Sequence, residues 1–310
     1  MPRAPRLVVI GSINMDMVVR CDRLPVPGET ILASESFEVP GGKGANQAVA
    51  AARLGAHVQM IGRLGSDSFA TRLRAGLDHE GVDTSTVTAT PDAASGIAII
   101  GVESSGQNSI MVVPNANGVL SVADIDSIAD AIRDADAVLM QLEVPLDAVQ
   151  RAAAIAREAG VRVILDPAPA PQRLPANLFN VDVLCPNRSE AATILGISIE
   201  SIQDAKQAAG ELVKRGANYG IVTLGSDGVV LCDHDGCEWL GAYAVTAVDS
   251  TAAGDAFAAA LAVYWCELDC MSQAIRYASA GGALAASRSG AQPSLPSRRD
   301  LELLYLQKKC

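Results

Sequence analysis

Short apolar runs alternate along this chain with longer stretches whose apolar residues recur every three to four positions, the periods of buried strands and amphipathic helices. "RLVVIG" (6–11) reads as a buried strand. "MDMVVR", then "LPVPGET", then "ILASESFEV" read as two extended segments joined by a Pro/Gly turn. From Ala45, "ANQAVAAARLG" is helical and stops at Gly55 as a C′ residue. Strand "HVQMIG" and helix "SFATRLRAGLDHEG" follow, and "GIAIIGVESSGQNSIMVV" (96–113) reads as a hairpin around a polar "SSGQN" tip. A helix over 121–134 opens with Ser121 and Asp124 spaced as in a capping box.

The chain then settles into a beat: strand "AVLMQL", helix "LDAVQRAAAIAREAG", strands "VRVILD" and "VDVLC", helices "RSEAATILG" and "IQDAKQAAGELVKRG", strand "YGIVTLG". "DGVVLCD" and "CEWLGA" form hairpin strands, and helices over 254–266 and 272–287 complete the core. Strands alternating with helices of this length predict an α/β fold, a mostly parallel sheet covered on both faces within one domain spanning 1–310. Segments 14–39 and 96–113 fall outside the beat and alternate apolar with polar residues. They predict a small separate sheet lying over one end of the domain as a lid, the alternative being two edge hairpins of the main sheet.

Composition narrows the function. Net charge is −11, leaving no excess of basic residues for nucleic acid or an anionic membrane surface. No run approaches the ~20 apolar residues of a membrane span. Seven cysteines without a C-x-x-C pair point to reduced thiols in a cytoplasm, and three histidines make a His-rich metal site improbable. The nearest cysteine pairs, Cys232/Cys237 and Cys266/Cys270, lack zinc-site company.

Candidate chemistry sits where strands end and helices begin. "DSTAAGDAF" (249–257) puts Ala252, Ala253 and Gly254 before Asp255 at the mouth of a helix. One reading is a soft turn with Asp255 as N-cap. The other is that bare amides reach an anion there while Asp255 acts on its neighbour. "PGGKGANQA" (40–48) sets glycines, Lys43 and Asn46 at another helix start. The dinucleotide fingerprint is absent after the first strand, and Phe37 stands where a P-loop would need its first glycine. Asn14 and Asp16 lie two apart on one side of an extended segment, and Glu143 ends an apolar strand just before Pro145. With Lys43 and Asn46 these are donors and acceptors of the kind that read sugar hydroxyls. "CPNRSEA" (185–191) and "TLGSDGV" (223–229) end later strands; singly, each reads as a cap or turn.

In this order, the segments "GGKGANQAVAAARLGAHVQMIGRLG" and "DSTAAGDAFAAALA" carry a resemblance, over essentially the whole length, to the ribokinase-like carbohydrate kinases, the PfkB-type sugar kinases. The resemblance implies a three-layer α/β/α fold with a lid and ATP-dependent phosphorylation of a primary sugar hydroxyl, ribose first among candidates. It implies Asp255 as base and the amides of Ala252 to Asp255 as anion hole. Asn14, Asp16, Gly42, Lys43, Asn46 and Glu143 would bind sugar, with Ala98 and Ile110 closing over it. Asn187, Thr223, Gly225, Gly228, Gly254 and Ser279 would line ATP; the family favours Asn at position 279, so the adenine-edge role is the one affected. Asn187 and Glu190 match the N-x-x-E element that organises magnesium. A potassium site would map to Asp249, Thr251, Ala285, Arg288, Gly290 and Ser294. A homodimer through the lid is expected. A nucleoside is a weaker fit, because the lid segments hold only Phe37 for stacking. A non-catalytic sensor would not need Lys43, Glu190, Gly254 and Asp255 together.

Overall fold

The computed structural model describes residues 3–104 and 108–307. Strand β1 (Arg6–Ile10) lies inside a nine-stranded sheet. On one side it pairs in parallel with β4 (His57–Leu64), which leads to β5 (Val87–Ala89). On the other side come β8 (Ala137–Met140), β9 (Arg162–Leu165), β10 (Val183–Leu184) and β11 (Tyr219–Thr223), also parallel. The hairpin β12 (Val229–Cys232) and β13 (Cys237–Leu240) adds an antiparallel edge.

Both faces are covered, and β1 explains how a continuous apolar run serves them. Leu7 and Val9 point into the core under α1 (Lys43–Arg53), α2 (Ser68–His79), α8 (Ala253–Leu268), α9 (Met271–Ala286) and α10 (Arg298–Gln307). Val8 and Ile10 point into the core under α3 (Val122–Ser127), α4 (Ala129–Arg133), α5 (Leu146–Glu158), α6 (Arg188–Leu195) and α7 (Ile202–Arg215). Many of the facing residues are alanines, which bring helix backbones close to the sheet.

A second sheet of four strands has the order β3 (Glu35–Gly41), β2 (Asn14–Cys21), β6 (Gly96–Glu103), β7 (Asn108–Val113). The two early segments thus build one small sheet and not edge hairpins of the large one. Their joint is a parallel pairing of β2 with β6. Residues 105–107 of the expected tip lie outside the described residues.

Several boundaries differ from the sequence reading. Helix α1 begins at Lys43, two residues before Ala45, and β3 begins only at Glu35. The helix expected over 121–134 is two: the Ser121–Asp124 capping box opens α3, and Ile128 (φ −118°, ψ 17°) breaks the geometry before α4. The expectation of reduced thiols fails at one pair, since Cys232 and Cys237 form a disulfide. Antiparallel register sets them directly opposite each other on β12 and β13, so both side chains share one face. No described helix is long and apolar enough to cross a membrane.

Candidate active site

The chain leaves β1 toward β4 on one side and returns to β8 on the other, so the carboxyl ends of these two strands flank a topological switch point, where open α/β sheets bind ligands. Ser12 and Asn14 follow β1, and Gln141 and Glu143 follow β8. Glu143 Oε2 accepts from Ser12 Oγ at 2.5 Å, and from Asn14 Nδ2 and the Lys43 backbone N–H at 3.5 Å each. Asn117 locks this corner: its Nδ2 donates to Asn14 Oδ1 at 2.7 Å while its Oδ1 accepts from Ile13 N at 3.0 Å. Asn14 and Glu143 are thereby held in one orientation before any ligand arrives.

Asp16 is buried beside them, two residues along β2. Glycine is required where the chain turns into α1. A Cβ at Gly41 would lie 2.1 Å from Asp16 Oδ2. Gly42 has φ +89°, and a Cβ there would lie 2.7 Å from the Asn14 backbone nitrogen. Register places Asp16, Ala98 and, opposite Ile100, Ile110 on one face of the small sheet. Burial first, then the charges of Glu143 and Asp255, push Asp16 up to about 7.

A carboxylate whose pKa rises on folding binds more protons native than unfolded. Its contribution to stability is therefore present at low pH and is lost as pH rises through the window from about 4 to about 7. Asp16→Asn is expected to melt higher than wild type at pH 8 without ligand. Calorimetry decides; a melting temperature at or below wild type would contradict the burial argument.

Asp255 stands at the N-terminus of α8 but caps nothing. The N-cap is Ala252, without a side-chain cap, and Asp255 turns its carboxylate toward α1. Its Oδ2 accepts from Asn46 Nδ2 at 2.9 Å and its Oδ1 from Gln47 Nε2 at 3.2 Å. Burial raises Asp255 to about 6, against the lowering pull of Lys43 and of these two amides. Burial would likewise lower the Lys43 ammonium, yet Asp255, Asp166, Glu143 and Glu190 outweigh it and hold it above the usual lysine range. Lys43 is the counter-charge of the whole cluster. The Ala253 N–H donates to the Ser250 carbonyl at 3.2 Å, whereas a side chain built at Gly254 would meet nothing within 4 Å. Bare backbone and the positive end of the helix dipole therefore face open space at Gly254.

Two connected hollows meet here. A narrow one of about 140 Å³ is lined by Lys43, Asp166, Asn187, Glu190, Gly254 and Asp255, among others. A wider cleft of about 850 Å³ adds Ala192, Ile199 and Gly225 and shares Asn187, Thr223, Ser250 and Gly254 with the first. Asn187 and Glu190 form a capping box on α6 and also line the narrow hollow. Gly228 and Ser279 are not on its wall. Gly228 packs against the loop at 240–242, and the Ser279 hydroxyl donates to Ile275 O within its own helix. Asp249 ties its loop together, accepting from Thr251 N and Oγ1 and from Gly290 N. Ala285 O accepts from Arg288 N, the Arg288 side chain pairs with Asp300, and Ser294 Oγ donates to Ala291 O.

Sequence reasoning assigned no role to Ser12, Gln47, Asn117, Gln141 or Asp166. Asp166 ends β9 as Glu143 follows β8, so a carboxylate closing an apolar strand was a usable signal for both.

A helix mouth of bare amides, a buried aspartate beside it and a cleft wide enough for a nucleotide define a phosphotransferase with an alcohol group as acceptor. A profile of the pfkB family carbohydrate kinases matches residues 4–298, and the chain belongs to that family. It is 38% identical over 300 residues to a ribokinase of Haemophilus influenzae, covering 96% of this chain and 98% of that one. It is 35% identical over 293 residues to a deoxyribokinase of Salmonella typhi, covering 94% and 95%. The ribokinase of Arabidopsis thaliana, solved with ribose and ATP, superposes with a TM-score of 0.89 at 35% identity, over 98% of this chain and 99% of that one. Fold and family agree with the sequence reading.

Proposed function

We propose that this sugar kinase transfers the γ-phosphoryl group of ATP to the 5-hydroxyl of D-ribose, giving D-ribose 5-phosphate and ADP. The carrying observation is Asp255, held by Asn46 and Gln47 between the hydroxyl-reading set of Asn14, Asp16 and Glu143 and the open amide of Gly254. As the sugar oxygen bonds to the γ-phosphorus, the bond to the bridging oxygen of ADP breaks and the hydroxyl proton passes to Asp255, which later returns it to water. Asp255 mainly orients the nucleophile and takes the proton as transfer proceeds. Amides of the 252–255 turn, Gly254 and Asp255 foremost, stabilise charge on the moving group. Asn187, Thr223, Gly225 and Gly254 line ATP. Asp16, Ala98 and Ile110 share the small-sheet face that closes over the sugar and excludes water.

Among the described residues no group of three or more His, Cys, Asp and Glu is placed to hold a metal ion. That fits magnesium, which binds through substrate phosphates and one or two carboxylates. Asn187 and Glu190 would hold it, where it would neutralise phosphate charge. Potassium at Asp249, Thr251, Ala285, Arg288, Gly290 and Ser294 would fix the loop before α8. Replacing potassium by sodium is expected to lower turnover severalfold; equal turnover in both would remove the cation from the account. The exposed edge strand β7, with Ile110, Met111, Val112 and Val113, supports a homodimer through the small sheet. Sedimentation at micromolar concentration is expected to give a dimer, and a monomer alone would overturn this.

Deoxyribose is the second reading, favoured by the similar identity of the Salmonella typhi relative. A nucleoside finds little to stack on, since Phe37 of the small sheet sits under Arg20, 5.6 Å from its ring centre. Coupled ADP release with MgATP across ribose, deoxyribose, fructose and adenosine tests the proposal. Ribose is expected to give the highest kcat/KM, and a higher value for any other acceptor overturns it.

A further inference from the structure

We infer that Gln47 and Gln141 are positioning residues for the base, a relay in which the Gln47 amide clamps Asp255 and Asp166 together and Gln141 backs its oxygen. Gln47 and Gln141 are fully buried. Gln47 Nε2 donates to Asp255 Oδ1 at 3.2 Å and to Asp166 Oδ2 at 3.1 Å, which spends both N–H bonds of one amide on two carboxylates. Its Oε1 accepts from Gln141 Nε2 at 2.5 Å.

The two carboxylates remove the alternative. A Gln47 amide turned over would set its oxygen against two carboxylates and its N–H groups against the Gln141 donor. Gln141 gains nothing locally from its own orientation, because its Oε1 is buried without a partner, packed against Gly11. The orientation of Gln141 is set by Gln47, and that of Gln47 by the two acids.

The charged and titratable groups around Asp255 are Lys43 from α1, Asp166 from the end of β9, Glu143 after β8, and Asp16 from β2, with Glu190 of α6 acting on Lys43 and Asp166. Four acids and one ammonium thus surround the base, and neutral donors from Asn46 and Gln47 are what hold its two oxygens. A donor bond to the ionised form favours that form, so losing the Gln47 bond raises the pH at which Asp255 picks up its proton.

The inference rests on Asp255 as the base of sugar phosphorylation. Gln47→Leu, which keeps bulk and removes both donors, is expected to lower kcat by about tenfold to a hundredfold. The sugar KM should stay within about threefold, and the acid limb of the kcat–pH profile should move to higher pH. Gln141→Leu touches neither acid and is expected to act in the same direction, more weakly. A merely structural role would lower the melting temperature and leave the acid limb in place. If Gln47→Leu does not fold, the Gln141→Leu profile decides alone. An Asp255→Asn enzyme that is inactive, beside Gln variants with wild-type kcat and an unmoved limb, overturns the relay only. An Asp255→Asn enzyme that stays active overturns the base and the relay with it.

Discussion

Asp255→Asn is expected to leave the fold and sugar binding intact while turnover falls by a factor of about 10³ or more. The amide that replaces the carboxylate cannot take the hydroxyl proton. Its shape is nearly the same, and the neighbours can adapt. Asn46 Oδ1 is buried without a partner in the native site, so turning that amide over gives the new N–H₂ group an acceptor. The substitution also removes a carboxylate that burial has raised to about 6, so thermal stability is expected to hold or rise. Calorimetric sugar titration beside single-turnover kinetics separates binding from chemistry. Near-normal turnover would exclude Asp255 as the base.

Lys43→Met is the second large effect. Asp255, Asp166, Glu143 and Glu190 all raise the Lys43 ammonium, and Lys43 is the leading influence that lowers Asp255 and Asp166 against burial. Without it the acids share a buried pocket with no cation. They answer by taking up protons, because uncompensated charge in a low-dielectric site is costly. Turnover is expected to fall by at least about a hundredfold near neutral pH, and what remains should peak at higher pH than wild type. Lys43→Arg should recover little, since a planar guanidinium does not reproduce a compact ammonium among these acids. A Lys43→Met enzyme with an unmoved pH profile would show that the ammonium does not hold the base ionised.

Strand and helix periods made the large sheet legible in the sequence, and the half-polar alternation of 14–39 and 96–113 set the small sheet apart. Their joint was not legible. The pairing of β2 with β6 in parallel links residues about eighty positions apart, and no local period encodes a non-local register. Helix α3 broke at Ile128 although its capping box was visible, because a cap signals where a helix begins and not how far it runs.

The same division applies to the site. Asp255, Lys43, Asn14, Asp16, Asn46, Glu143, Asn187 and Glu190 sit beside glycines, strand ends or helix starts, all of which leave marks in the sequence. Gln47, Gln141 and Asp166 matter because three distant segments meet. Gln141 bonds to Gln47 across 94 positions, and Gln47 reaches Asp255 across 208. Nor could sequence supply the raised pKa of Asp255, which burial creates. The Cys232–Cys237 bond follows from strand register, which composition does not carry.

The most direct test of the account is a crystal structure with D-ribose, ADP, magnesium and a trigonal phosphoryl mimic bound together. The mimic is expected on the backbone amides of Gly254 and Asp255, with the sugar 5-hydroxyl about 3 Å from both the mimic and the Asp255 carboxylate. A mimic bound away from that helix mouth, or a sugar whose 5-hydroxyl points away from Asp255, would contradict it.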